Sequence, residues 1–163
     1  MDTTRTAQAE AMTLSFKSSG VPGFSGRVAN DPRHQQARKR ERQVQVRFTD
    51  ITCTVQTMEG IVHAKPGDAI LTDQGGNHWR VSQGRFPTAY RPSSDTQSGA
   101  DGTYISRPSK VLVLQLQVPF EVLLADGVSL LKGKAGDWLV DYGDGSLGIV
   151  AQSVFSETYD LLS

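Results

Sequence analysis

Cysteine is almost absent from the sequence: Cys53 is the only one among 163 residues, so no disulfide can form within the chain. Long apolar runs are also missing, because Gln115 and Gln117 interrupt the most apolar stretch, residues 111–118, which is far too short to cross a bilayer. The first ten residues are polar and lack the apolar core of a secretory signal. These absences predict a soluble, cytoplasmic protein with no membrane association.

An excess of charge of one sign is lacking as well, since 17 Lys and Arg residues balance 17 Asp and Glu residues. The two ends nevertheless differ: residues 1–47 carry nine basic and four acidic side chains, whereas residues 111–163 carry two basic and seven acidic ones. Oppositely charged ends attract each other within one molecule or between copies. The charge pattern therefore leaves three partners open: a second copy of the chain, another protein, or a small anionic ligand.

Helical periodicity is rare, whereas glycine is abundant at 16 residues and aromatic residues are few at 7 %. Residues 111–117 place Val or Gln on one face and Leu on the other, which is the two-residue period of a strand. Asp126 and Gly127 follow as a dipeptide typical of a tight hairpin, because it tolerates positive φ angles. Short strands between glycine-rich turns predict a mostly β fold, either a barrel or a sandwich.

The sequence contains an internal repeat. At an offset of 69, residues 65–90 match residues 134–159 at eight of 26 positions. At an offset of 67, valines and a glycine between residues 44 and 60 match those between residues 111 and 127. An ordered match of this kind predicts a duplication, with two small β modules related by a pseudo-twofold axis.

The repeat predicts the domain organisation. Residues 1–36 form a partly disordered N-terminal extension with one strand near residues 13–17, and residues 37–90 form the first repeat. Residues 91–104 are rich in Pro, Ser, Gly and Asp, which is typical of a surface linker, and residues 105–163 form the second repeat.

Two matching turns carry a family resemblance. Residues 65–68 read Lys-Pro-Gly-Asp and residues 134–138 read Lys-Ala-Gly-Asp-Trp; each is followed by a glycine hairpin and by Phe-x-x-x-Tyr, at residues 86–90 and 155–159. This arrangement resembles the PGDYG-motif proteins and short bacterial and bacteriophage proteins with a Pro-Gly-Asp-Trp core. Ala69 departs from the motif, as does the alanine that replaces proline in the second turn. The resemblance implies a small, soluble protein and carries over no catalytic residue.

The turns require particular residue types. Glycine at their tightest positions supplies the backbone freedom they need, at Gly60, Gly67, Gly127 and Gly136. Asp68 and Asp137 follow two of these glycines, where a carboxylate typically accepts hydrogen bonds from backbone N–H groups and fixes the corner. The alternative is a carboxylate pair across the pseudo-twofold axis that acts as acid and base or holds a metal. The aromatic pairs that follow are expected to anchor the core as single helical turns.

One cluster has the chemistry of a ligand site. His78, Trp79 and Arg80 combine imidazole, indole and guanidinium groups, which bind anionic or planar molecules. The matching residues of the second repeat, 147–149, are apolar or glycine, so the site would exist in one repeat only. The predicted ligand-binding residues, with the two turn carboxylates as proton carriers, are Lys65, His78, Arg80, Tyr90, Asp68 and Asp137.

Patterns for cofactors and catalysis are missing. His34, His63 and His78 lack metal-ligand spacing with one another or with Cys53, although His63 and His78 on neighbouring strands would keep metal binding open. Neither a nucleophile elbow nor a phosphate-binding loop is present. We therefore assign no catalytic residue, no metal site and no cofactor.

Three functional hypotheses remain. The first is a non-enzymatic binding or interaction module, and the second is a small enzyme or nucleotide-binding protein with an anionic-ligand pocket between the repeats. The third is nucleic-acid binding through a basic segment, whose residues are Arg38, Lys39, Arg40, Arg42 and Arg47. We rank them in that order because the residues named above form no recognisable catalytic arrangement.

Overall fold

The computed structural model describes residues 13–162, and most of the regular structure in this range is β-strand. The strands are β1 (Leu14–Lys17), β2 (Gln35–Lys39), β3 (Gln43–Phe48), β4 (Cys53–Thr57), β5 (Gly60–Ala64), β6 (Ala69–Thr72), β7 (His78–Val81), β8 (Tyr90–Pro92), β9 (Gly102–Ser106), β10 (Ser109–Gln115), β11 (Phe120–Leu123), β12 (Leu130–Gly133), β13 (Trp138–Asp141), β14 (Leu147–Val150) and β15 (Tyr159–Leu162). The helices are α1 (Gly26–Ala29), α2 (Phe86–Ala89) and α3 (Gln152–Thr158). The mostly β class is thus confirmed. Of the extension expected to be partly disordered, residues 1–36, residues 1–12 lie outside the described residues.

Two five-stranded sheets dominate the fold. The first sheet has the order β7-β6-β3-β9-β8 and the second has the order β14-β13-β10-β2-β15. A three-stranded sheet, β1-β11-β12, and the β4-β5 hairpin complete the regular structure. None of the sheets formed by residues 13–162 closes into a barrel, so the barrel alternative is wrong.

Strands β2 and β9 each lie in a different sheet from the strand that follows them in the chain. Strand β2 ends three residues before β3 begins, yet it pairs with β10 in the second sheet. Strand β9 leads directly into β10, yet it pairs with β3 in the first sheet. Strands β8 and β9 also occupy the two ends of the linker expected at residues 91–104, five of its fourteen residues. Strand β2 therefore lies in the second sheet although β3, which follows it, lies in the first. Strand β9 lies in the first sheet although β10, which follows it, lies in the second.

The two Gly-Asp turns have closely similar geometry. Gly67 and Gly136 adopt φ angles of +94° and +97°, and a Cβ atom at either position would lie 2.5 Å from the Oε1 atom of Gln83 or Gln152. The positive φ angles explain the need for glycine, because residues with a side chain rarely adopt this conformation. The other two predicted turn glycines, at positions 60 and 127, also have positive φ angles.

Each turn carboxylate holds its corner together. The two oxygens of Asp68 accept backbone N–H bonds from Lys65 at 3.0 Å and from Gln83 at 3.1 Å. Asp137 accepts the corresponding bonds from Lys134 at 2.9 Å and from Gln152 at 3.0 Å. Both carboxylates thus tie a turn to the segment that follows β7 or β14.

The aromatic pairs anchor the segments that follow these turns. Phe86 and Tyr90 stack with centroids 5.3 Å apart at 13°, and Phe155 and Tyr159 do so at 5.2 Å and 16°. All four side chains are buried. Each phenylalanine lies in a short helix, α2 or α3, and its tyrosine is the first residue of the strand that follows, β8 or β15. Each stacked pair adds about 0.5–1.5 kcal/mol beyond its burial.

Strand β1 extends the three-stranded sheet. It pairs in parallel with β11, and its Phe16 packs edge-on against Phe120 at 6.4 Å. The strand predicted near residues 13–17 is therefore present. Among the described residues, the helices are too short and too polar to span a membrane.

Candidate ligand-binding cavity

A cavity of about 220 Å³ lies between residues of the two five-stranded sheets; we call it the inter-sheet cavity. Edge strands β7 and β14 border it, as do the ends of β2, β8, β9 and β15. These bordering strands form pairs whose residue numbers differ by an offset of the sequence repeat: β2 with β9, β7 with β14 and β8 with β15. Because β2 pairs in the second sheet and β9 in the first, the connections that follow these strands bring the ends of both sheets to the cavity.

The two halves of the cavity differ in chemistry. Strand β7 contributes His78, Trp79 and Arg80, and Arg85 follows from the segment before α2. The matching positions of the second repeat contribute Leu147–Val150 of β14 and Val154 of α3. One half therefore presents cations and an indole ring, and the opposite half is mainly aliphatic.

Arg80 is tied to the framework of the first sheet. Its Nη1 atom lies 3.6 Å from the fully buried Asp68 carboxylate and donates to the His63 carbonyl oxygen at 3.2 Å. Its buried Nε atom has no hydrogen-bond partner among the described residues. Asp68 thereby neutralises the guanidinium from behind the cavity wall.

Arg85 is neutralised across the sheets. Its Nε atom lies 3.0 Å from Asp144, and its guanidinium stacks over the Tyr142 ring, 3.9 Å from the centroid. Both partners belong to the second repeat. This pair of contacts joins the two walls at one side of the cavity.

Lys39 reaches the cavity from the end of β2. Its Nζ atom donates to the Tyr90 hydroxyl at 3.0 Å and lies 4.8 Å from the centroid of that ring. Burial alone would raise the pKa of Tyr90, but the Lys39 charge and hydrogen bonds from Lys39 and Trp79 outweigh it, so the pKa is lowered. At the matching position, burial raises the pKa of Tyr159 well above its ordinary value, and neighbouring Tyr142 adds to this effect.

Arg42 approaches from the connection between β2 and β3. Its Nη1 atom donates to the Thr158 hydroxyl at 2.9 Å, while its backbone N–H donates to the buried Ser106 hydroxyl at 2.8 Å. Ser106 in turn donates to the Arg40 carbonyl oxygen at 2.8 Å. These bonds fix the crossing connection and hold the guanidinium at the cavity.

Glu59 borders the cavity from the β4-β5 turn. Burial raises its pKa to about 7, and the negative charge of nearby Asp137 contributes further. This carboxyl group therefore titrates close to neutral pH. Asp73, the other carboxylate at the cavity, is engaged by the backbone and side chain of Asn77.

The structure brings together only part of the predicted site. His78, Arg80 and Tyr90 border the cavity, whereas Asp68 lies behind Arg80. Lys65 is exposed and, like Asp137, does not line the cavity. Trp79 borders the cavity beside its neighbours despite strand alternation, because side chains of both faces can border an opening beside an edge strand.

The cavity residues that sequence reasoning did not place in the ligand site include Lys39, Arg42, Glu59, Arg85 and Tyr142. The offset of 69 contained a signal for Arg85, since its counterpart is Val154 and the same polar-to-aliphatic change occurs at Arg80. Lys39 and Arg42 had no comparable signal, because nothing local predicts that β2 crosses to the other sheet.

Metal binding finds no support in residues 13–162, which contain no group of three or more His, Cys, Asp or Glu residues placed to hold an ion. The Arg80 guanidinium, not an imidazole pair, connects the His63 and His78 strands.

Comparison with known proteins gives one match. A family model described as PGDYG protein matches residues 60–160, more than half of the chain. The match includes both Gly-Asp turns and strands β7 and β14 of the cavity. No curated protein and no solved structure matches the chain significantly.

Proposed function

This chain belongs to the PGDYG protein family, and we propose that it works as a non-enzymatic binding module that holds a small amphipathic anion in the inter-sheet cavity. The observation that carries the proposal is the division of the cavity into a cationic half and an aliphatic half. A ligand with a negative group at one end and an apolar ring at the other matches both halves. A cytoplasmic location and a bacterial or bacteriophage accessory role belong to the same proposal.

Charge supports an anionic ligand. Lys39, Arg42, Arg80 and Arg85 all line the cavity, against two carboxyl groups. The pKa of Glu59 is raised to about 7, so that group is partly neutral near physiological pH. Guanidinium and ammonium groups in a partly enclosed site favour carboxylates and phosphates through charge-assisted hydrogen bonds.

Size limits the ligand further. A volume of about 220 Å³ is below the range of about 300–1,000 Å³ that is usual for drug-sized ligands. An aromatic ring with one acidic substituent is of suitable size, since an apolar cavity of about 150 Å³ already accepts benzene. Aryl phosphates and aryl carboxylates are therefore the first class to test.

A thermal-shift and calorimetric screen tests the proposal. We expect phenyl phosphate or benzoate to raise the melting temperature, whereas phenol and inorganic phosphate, each with half of the required chemistry, bind more weakly. A ligand at 100 times its Kd stabilises the fold by about 2.7 kcal/mol. If none of the four compounds shifts the melting temperature at millimolar concentration, the proposal is wrong.

A cavity-filling variant provides the control. Val154→Phe places a ring in the aliphatic half and should abolish the shift, because Val154 lines the cavity. Ser153→Phe adds the same ring at the preceding, exposed helix position and should leave it unchanged. Equal loss of binding in both variants would contradict a site in this cavity.

Nucleic-acid binding is less well supported. Arg40 forms an ion pair with Asp160 at 2.7 Å, and Lys39 and Arg42 border the cavity. Arg38 and Arg47 remain exposed, on separate sheets. The basic segment is thus divided among different environments and does not form one cationic surface.

We also infer that residues 37–90 and 105–163 descend from one duplicated unit. Three observations support this inference: the matched φ angles and capping bonds of the Gly-Asp turns, the matched aromatic stacks, and the corresponding strand orders of the two sheets. A duplicated unit also explains why the cavity borders occur in pairs. The two members of a pair then differ in chemistry where binding requires a cationic surface on one side and an aliphatic surface on the other.

A further inference from the structure

We propose that Lys39 and Arg42 form the seat for the ligand's anionic group, and that this group is a phosphate monoester. The inference rests on the proposed function and goes beyond it, because it selects two of the four cavity cations and the charge of the ligand. Neither residue belongs to the His78–Arg80 cluster that sequence reasoning favoured.

Charge neutralisation separates the four cations into two pairs. The ion pairs described in residues 13–162 include Arg80 with Asp68 at 3.6 Å and Arg85 with Asp144 at 3.0 Å. Within that range, neither Lys39 nor Arg42 has a carboxylate within 4.0 Å. Their positive charges are therefore available to a ligand, whereas those of the other two arginines are already matched.

Hydroxyl groups take the place of carboxylates at this seat. The Tyr90 hydroxyl accepts from Lys39 at 3.0 Å, and the Thr158 hydroxyl accepts from Arg42 at 2.9 Å. A hydroxyl positions a cation but does not neutralise it. Because both side chains are half-buried, an anion that reaches them gains more than it would at the open surface.

The backbone brings the two cations together. Lys39 pairs with Tyr159 in the second sheet, directly after Thr158, which is the residue that Arg42 contacts. Ser106 pairs with Tyr90 in the first sheet and accepts the Arg42 backbone N–H. The contacts form a closed ring around the two crossing connections, so the seat depends on both sheets.

Two unmatched cations favour a ligand group that carries two negative charges. A phosphate monoester carries about −1.5 to −2 charges at pH 7 and offers three acceptor oxygens, whereas a carboxylate carries one charge. The lowered pKa of Tyr90 agrees with a positive potential at this point. We therefore expect phenyl phosphate to bind more tightly than benzoate.

Calorimetric titration of phenyl phosphate and phenol into five proteins tests the seat. We expect Lys39→Met and Arg42→Met each to weaken phenyl phosphate binding by about 10- to 100-fold, the usual value of a charge-assisted hydrogen bond. Phenol binding should change less than twofold. Arg38→Met, which removes a neighbouring exposed charge on β2, and Arg40→Met, which removes a charge matched by Asp160 outside the cavity, should each change phenyl phosphate binding less than threefold.

The outcomes are distinguishable. If Lys39→Met and Arg42→Met weaken phenyl phosphate binding no more than Arg38→Met and Arg40→Met do, the seat is wrong and the binding module stands. If the unaltered protein binds none of the probes, the proposed function fails together with the seat. If benzoate binds as tightly as phenyl phosphate, the assignment of a phosphate is wrong, whatever the variants show.

A conservative variant separates charge from folding. Lys39→Arg keeps the charge and should retain phenyl phosphate binding within about fivefold, in contrast to Lys39→Met. Tyrosine absorbance gives a second reading: phosphate bound beside Lys39 should raise the pH at which Tyr90 ionises. A Lys39→Met protein that melts normally and binds phenyl phosphate fully would overturn the proposal.

Discussion

Single residues show how the two Gly-Asp turns share a geometry but differ in electrostatics. Asp68 is fully buried and faces Arg80, whereas Asp137 is half-buried and has Glu59 as a charged neighbour. Both carboxylates accept two backbone N–H bonds. The turn chemistry could be predicted from the repeated Gly-Asp sequence, but the buried cation behind one turn could not, because Arg80 is distant in sequence.

This difference predicts unequal costs for the same substitution. Asp68→Ala removes two hydrogen bonds and leaves a largely buried guanidinium without its carboxylate, so we expect a loss of about 3–5 kcal/mol in the free energy of unfolding. Asp137→Ala removes two hydrogen bonds only and should cost about 1–3 kcal/mol. Urea denaturation of both variants measures the difference. Equal losses would mean that the ion pair with Arg80 adds nothing.

Glu59 predicts a pH dependence of stability. Its pKa rises from 4.5 in the unfolded chain to about 7 in the fold, so its contribution to stability is complete below pH 4.5 and is lost as the pH rises through 7. The free energy of unfolding of Glu59→Gln, which stays neutral, should exceed that of the unaltered protein by less than about 1 kcal/mol at pH 5 and by about 3 kcal/mol at pH 9. Thermal unfolding at both pH values measures this gain. A gain at pH 5 only would contradict the assignment.

At the scale of elements, strand positions were more predictable than strand partners. The strands predicted near residues 13–17 and at residues 111–117 correspond to β1 (Leu14–Lys17) and β10 (Ser109–Gln115), because alternation and turn residues are local signals. The sequence does not predict strand β2: Gln-Gln-Ala-Arg-Lys has one apolar residue, Ala37, and its Arg38 and Lys39 belong to the basic segment considered for nucleic-acid binding. The exchange of β2 and β9 could not be predicted at all, since it depends on pairing between distant segments.

The exchanged strands predict cooperative unfolding. The two tryptophans lie in different sheets, Trp79 in β7 and Trp138 in β13, so Trp79→Phe and Trp138→Phe leave one reporter on each. If one sheet unfolds, the other loses β9 or β2, the strand that holds its edge strand in place. We therefore expect the fluorescence of both variants to change at a urea midpoint that coincides with the loss of secondary structure measured on the same variant. A fluorescence midpoint separated by 1 M or more from the secondary-structure midpoint in either variant would show independent sheets.

At the scale of the whole molecule, the charge asymmetry of the sequence acquires a structural meaning. The basic N-terminal part meets the acidic C-terminal part where β2 pairs with β15, and Arg40 contacts Asp160 there. The charge pattern predicts that the two ends attract each other either within one molecule or between copies, and this contact lies within one molecule. The ion pair is exposed and screened by solvent, so the strand pairing around it supplies most of the contact energy.

The crossing of β2 also sets an order of events during synthesis. Strand β2 leaves the ribosome early, but its partner β10 begins only at Ser109. At about 5–20 residues per second, β2 waits for roughly 4–15 s with both of its edges unpaired. Its charged side chains suit this interval, because Arg38 and Lys39 on an open edge discourage pairing with other nascent chains.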